Sequence, residues 1–157
     1  MKIKLIAIGK TDEAYLEEGI DKYLKRLKHY HPLEVIIVPN IKQGGKFTAD
    51  NLKEAEGKLI LQKVQDGDHL VLLDEKGKTF TSTEYANFLQ KKLNSVSSSL
   101  IFVIGGAFGF SPAVYARANE QISLSKMTLS HQMIRLFFVE QLYRGFTILK
   151  GEKYHHD

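Results

Sequence analysis

The sequence predicts an α/β protein, with a mostly parallel sheet and helices on both faces. Short β-branched or apolar runs alternate along the chain with segments whose apolar residues recur at helical spacing. The most apolar run, Leu100-Ile101-Phe102-Val103-Ile104, has no polar side, as expected of a central strand buried on both faces. No repeat, low-complexity tract or linker divides the 157 residues, a length that suits one domain, 1–157, with its own core.

Each element has its own signal. Residues 2–9 alternate charged and apolar side chains, then turn wholly apolar, which reads as a strand ending at Gly9. Asp12 is a candidate cap for a helix over 13–29, where Tyr15, Leu16, Ile20, Tyr23, Leu24 and Leu27 share a face before Pro32 stops it. Residues 33–38 form a short β-branched strand. The polar stretch 39–48, with Gly44-Gly45, reads as a mobile loop, and 49–65 as a helix. Residues 69–74 make a strand ending in an acid, followed by a turn at Glu75, Gly77 and Lys78. Ser82 or Thr83 would cap a helix to about residue 93. Ser111-Pro112 is an N-cap with proline at the first helical position of a short helix. A brief strand at 121–124 and a helix over 131–149 complete the chain.

That last helix carries Met133, Ile134, Leu136, Phe137, Phe138, Val139, Leu142, Phe146, Ile148 and Leu149, which nearly encircle its axis. A helix apolar all round must be covered on both sides. In so small a protein a second copy is a natural cover, which predicts a homodimer through this helix; burial inside one chain is the other solution.

Composition narrows the class. The absence of cysteine excludes disulfides, thiolate metal sites and a cysteine nucleophile. The N-terminus is too short and too charged for a signal peptide, and no apolar run reaches the roughly 20 residues of a membrane span, so a cytoplasmic protein is expected. The net charge of +4 favours a polyanionic partner. The excess gathers at the end, where Lys126, Arg135, Arg144, Lys150 and Lys153 face only Glu140 and Glu152.

The candidate chemistry lies in the last third. Gly105-Gly106-Ala107-Phe108-Gly109 follows the central strand, at the kind of strand end where open α/β sheets bind ligands. It lacks both the dinucleotide glycine spacing and the phosphate-loop lysine, and a tight turn needing positive φ is the alternative. Leu73, at another strand end, would line the same edge or sit in the core. Leu124-Ser125-Lys126-Met127-Thr128-Leu129 reads either as a loop whose backbone meets an adenine edge or as a connector leading to a cap at Ser130. His131 and Arg135, one turn apart, could face an anion at the helix N-terminus. Glu140 and Arg144 form either an intrahelical ion pair or part of a site. Tyr143, Tyr154, His155 and His156 offer stacking faces, or else the tail frays. The six histidines show no metal-ligand spacing, and no nucleophile elbow occurs.

Taken together, Gly105-Gly106-x-x-Gly109, the run 124–129, His131-Gln132-Met133-x-Arg135, Glu140-Gln141-Leu142-Tyr143-Arg144 and the closing Tyr154-His155 resemble the bacterial ribosomal large-subunit pseudouridine N3-methyltransferases, the methyltransferase H family of the SPOUT class. Ile6-Ala7-Ile8-Gly9-Lys10 and Tyr23-Leu24-x-Arg26 match as well, so the likeness spans the chain. Ala107-Phe108 and Ser130 depart from the usual residues, the last standing where proline is common.

The resemblance implies a C-terminal trefoil knot (the SPOUT, α/β-knot fold), a homodimer and S-adenosylmethionine as cofactor. It implies methylation of N3 of pseudouridine 1915 of 23S rRNA in the assembled ribosome, with no metal and no membrane. Carried over by position, Leu73, Gly105, Leu124, Ser125, Lys126, Met127, Thr128 and Leu129 would hold the cofactor. His131, Arg135, Glu140, Arg144, Tyr154 and His155 would face RNA or the reaction centre. A non-catalytic RNA- or ribosome-binding module is the alternative.

Overall fold

The computed structural model describes residues 1–42 and 47–156. Five strands run through it: β1 (Lys2–Ile8), β2 (Leu33–Val38), β3 (His69–Thr79), β4 (Ser99–Ile104) and β5 (Glu120–Ser123). Five helices alternate with them: α1 (Ala14–Leu27), α2 (Ala49–Leu61), α3 (Ser82–Ser95), α4 (Pro112–Arg117) and α5 (Met133–Leu149). The strands make one all-parallel sheet in the order β2-β1-β4-β3-β5. The α/β expectation holds, and β4, the most apolar run, lies in the middle with every residue buried.

The pleat divides the core in two. Ile3, Leu5, Val71, Leu73, Leu100 and Phe102 point to one face, where they meet Leu27 of α1, Leu89 of α3 and Phe138 and Leu142 of α5. Ile6, Ile8, Leu70, Leu72, Ile101 and Val103 point to the other, where Ile60 of α2, Phe110 and Val114 of α4 cover them. Helix α5 lies between α1 and α3 on the first face. Gly145 lets it approach α3, since a Cβ there would come within 2.7 Å of Leu89. Much of the cover required by its apolar girth therefore comes from its own chain, while Met133 stays 39% exposed.

Several local expectations need correction. Asp12 does not cap α1; its backbone N–H donates to Gln132 Oε1 at 3.1 Å, and Glu13, which precedes the helix, makes no side-chain cap. Thr81, rather than Ser82 or Thr83, caps α3, in a reciprocal box with Glu84. Residues 75–78 do not form a turn between elements. Strand β3 continues to Thr79 after a register shift in which Leu73 and Lys78 both partner Ile122. Gly77 is required for backbone proximity: a Cβ there would lie 2.6 Å from Ile122 N. Helix α2 stops at Leu61, short of residue 65. The expected Gly44-Gly45 loop lies outside the described residues. The Ser111 cap stands as expected, its Oγ accepting from Val114 N–H at 3.4 Å with Pro112 opening α4. Among the described residues no helix is long and apolar enough to cross a membrane.

Candidate active site

A cleft of about 560 Å³ opens at the carboxyl ends of β3 and β4, the edge where open α/β sheets place ligands. Leu73 and Gly105 line its floor, while Leu124, Ser125, Met127, Thr128, Leu129 and His131 line a facing wall. The glycine turn and the connector, which begin 19 residues apart in sequence, thus share one cavity. Lys126 is exposed and does not line the cleft.

The connector is shaped by its own hydroxyls. Ser123 Oγ donates to Ser125 O at 2.8 Å, Met127 N–H donates to Ser125 Oγ at 2.9 Å, and Thr128 Oγ1 donates to Glu75 Oε2 at 3.2 Å. Opposite, Gly109 takes φ +83° and donates to Gly106 O at 3.1 Å, closing the turn on a conformation that suits glycine. Beyond the connector Ser130 Oγ accepts from Met133 N–H at 3.0 Å, so the expected cap is there and α5 begins at the cleft.

Asp74 and Tyr115 also line the cleft. Tyr115 donates its hydroxyl to Asp74 Oδ2, and burial together with that carboxylate pushes the phenol up to about 12. The partners are 41 residues apart, and only the bare acid at a strand end hinted at either.

Arg135 is where the structure departs most from expectation. It is 3% exposed, and its guanidinium is spent mainly on backbone, with one longer bond of 3.4 Å from Nη1 to Thr11 Oγ1. Nη2 donates to Ile8 O at 2.7 Å, Nη1 to Gly9 O at 2.7 Å, and Nε to His131 O at 3.1 Å. Burial pushes its pKa below the usual range, with Asp12 opposing, yet a guanidinium stays charged at neutral pH. Arg135 therefore clamps the end of β1 to α5 and does not face an anion beside His131, which stands exposed at the cleft.

The remaining residues meet elsewhere. Glu140 Oε1 accepts from Arg144 Nε at 3.1 Å, from Arg144 Nη2 at 2.6 Å and from Tyr154 Oη at 3.0 Å. Arg144 Nη1 lies 3.1 Å from His155 Nδ1, and its guanidinium carbon sits 4.6 Å from the Tyr154 ring centre. Burial pushes the Arg144 pKa down, but the Glu140 carboxylate outweighs it, so the net shift is upward. The tail does not fray at Tyr154: its ring packs edge-on to Tyr143 at 4.8 Å and its hydroxyl lies 3.2 Å from that of Tyr23. Tyr30 donates to Glu152 Oε2, a second tie. Burial and the bonds to Tyr23 and Glu140 raise the Tyr154 pKa.

One chain therefore holds two separate groupings. Ile134 lines the cleft, and Arg144 follows ten residues later, about 15 Å along the helix axis at 1.5 Å per residue. Among the described residues no group of three side chains could hold a metal ion.

A family model described as "Predicted SPOUT methyltransferase" matches residues 1–155. The ribosomal RNA large subunit methyltransferase H of Cytophaga hutchinsonii is 60% identical over 156 residues, covering 99% of this chain and 100% of its own. The protein of the same name from Parabacteroides distasonis is 56% identical with full coverage of both chains, and that of Porphyromonas gingivalis 48%, again over both full lengths.

Proposed function

This chain belongs to the SPOUT methyltransferase family, and from that premise we propose that it methylates N3 of pseudouridine 1915 of 23S rRNA in the assembled ribosome, using S-adenosylmethionine. The names of its relatives support a large-subunit rRNA substrate. The observation that carries the cofactor assignment is the cleft itself. It has room for a nucleoside with an amino-acid arm, and a glycine turn and a hydroxyl-braced connector bring backbone groups to its walls. The turn has no phosphate-loop lysine, which fits a cofactor without phosphates.

When bound, the cofactor supplies a methyl group on a cationic sulfur, so neither a metal nor a covalent enzyme intermediate is needed. The protein must align N3 with that methyl and accept or stabilise the charge left as N3 gives up its proton. We assign Arg144 to the developing negative charge or a neighbouring phosphate, oriented by Glu140. Tyr154 and His155 contact the base, and His131 stands at the cleft as a proton-handling group. Arg135 takes no part in contact with RNA.

The 15 Å gap between the cleft and Arg144 supports a homodimer in which the tail of one protomer reaches the cleft of the other. The exposed Met133 on α5 and the half-buried Phe137 beside it suit such an interface. The knot and a cytoplasmic location complete the reading.

Calorimetry with S-adenosylmethionine is the direct test: heat of binding is expected, and its absence would favour a non-catalytic RNA-binding module. Mass spectrometry of rRNA from a strain lacking the gene should show one pseudouridine without its methyl group. Purified protein added to those ribosomes should restore it.

A further inference from the structure

Behind the glycine turn lies a buried acid with no assigned role. Glu56 of α2 is 6% exposed, and among the described residues its Oε1 has no hydrogen-bond partner. A Cβ on Gly106 would meet its two carboxyl oxygens at 2.6 and 2.7 Å. The next residue reverses the arrangement: a Cβ on Gly57 would lie 2.5 Å from Ser111 Oγ. Helix α2 and the segment 105–111 are thus interlocked, each offering a glycine where the other seats a polar side chain. A leucine or methionine would serve plain packing, and an unpartnered polar atom in a core calls for an explanation.

Resting on the reading of the cleft as the cofactor site, we propose that Glu56 is a positioning residue: seated against Gly106, it fixes from behind the turn 105–109 whose front lines the cleft. The neutral acid is the form that fits. Burial alone pushes the carboxyl above its usual range, and an ionised carboxylate there would lack compensation. The segment 104–111 carries no titratable side chain. On α4, Tyr115 is bonded to Asp74 and Arg117 to the carbonyls of Gln65 and Asp68. On β2 there is Glu34, and on α2 itself Asp50 pairs with Lys53, leaving Glu54 and Lys58. As pH rises through the raised pKa, Glu56 ionises, the turn loses its seat and cofactor affinity falls.

Hydrogen exchange on the free protein tests the role without any ligand. In Glu56→Ala the amides of 105–109 should exchange about tenfold faster, with the rest of the sheet unchanged, whereas Glu56→Gln, of equal shape and always neutral, should match the wild type. Gly106→Ala should loosen the same amides, and combining it with Glu56→Ala should give a non-additive effect. Calorimetry with S-adenosylmethionine should then show about tenfold weaker binding for Glu56→Ala, and a decline with rising pH in wild type that Glu56→Gln lacks. Wild-type exchange in Glu56→Ala, additive effects, or a Glu56→Gln variant behaving like Glu56→Ala would overturn the inference. A wild type that gives no heat with S-adenosylmethionine would overturn the cofactor reading instead, and the exchange data would still decide the positioning role.

Discussion

Replacing Arg135 with methionine separates a clamp from an RNA contact. Methionine preserves most of the aliphatic volume and removes every donor. Two buried carbonyls, Ile8 O and Gly9 O, each lose a 2.7 Å partner. A buried group left unpaired costs about 1–3 kcal/mol, and His131 O, at an exposed residue, loses less. Relief from burying a cation offsets part of this, so the net loss is about 2–4 kcal/mol. At about 2–4 °C per kcal/mol for a chain of this length, a loss of about 3 kcal/mol lowers Tm by about 6–12 °C. In urea, with a slope of about 2 kcal/mol per molar, the midpoint falls by about 1.5 M at unchanged slope. Arg135→Lys, which keeps the charge and loses the planar fork, should fall between the two. Equilibrium urea unfolding of the three proteins is the assay, with ribosome binding measured alongside. A methionine variant as stable as wild type but unable to bind ribosomes would refute the clamp and return Arg135 to the RNA surface.

Glu140→Gln should leave Tm within about 4 °C of wild type, because glutamine keeps an acceptor at Oε1 and the charge of a half-buried intrahelical pair contributes about 1 kcal/mol. Methyl transfer on purified ribosomes should nevertheless fall about 100-fold as the acceptor shared by Arg144 and Tyr154 loses its charge; undiminished transfer would remove Glu140 from the site. Asp68 governs part of the acid stability. Burial pushes its pKa up, but bonds from Gln65 N–H at 2.8 Å, Ser98 Oγ and Ser99 N–H, with the charge of Lys4, bring it below the ordinary value. A folded pKa below the unfolded one, about 3.9, means stabilisation present above that pH and lost as pH falls through the folded value. The urea midpoint of Asp68→Asn should therefore be lower than wild type at pH 7 and fall less on acidification from pH 5, and parallel curves for the two proteins would exclude this role.

Much of this architecture was legible because burial leaves a pattern. β4 announced its central place by having no polar face, and Ser111-Pro112 announced the start of α4 by local geometry alone. The pairing of the glycine turn with residues 124–129 was legible only through resemblance, since nothing local joins segments that begin 19 residues apart. The misreadings share a cause. Gly77 reads as a turn residue because glycine is common there, whereas here its missing Cβ admits the Ile122 backbone. Arg135 reads as an anion anchor because a cation at a helix start commonly is one. Its true partners, two carbonyls at the end of β1, are more than 120 residues away. Glu56 carries no local signal, and only the packing of α2 on the turn makes it singular.

The order of the strands bears on how the protein is made. β1 must wait for β4, since Lys2 pairs with Ser99, and the carbonyl of Gly9 must wait for Arg135, 126 residues later. At about 5–20 residues per second, those 126 residues take roughly 6–25 s to emerge during synthesis. Until β4 follows, the nascent first strand has only β2 beside it and an open hydrogen-bonding edge on the other side. The sheet can close only once residues 99–123 have joined the first strands, so the early strands should lean on chaperones in the meantime.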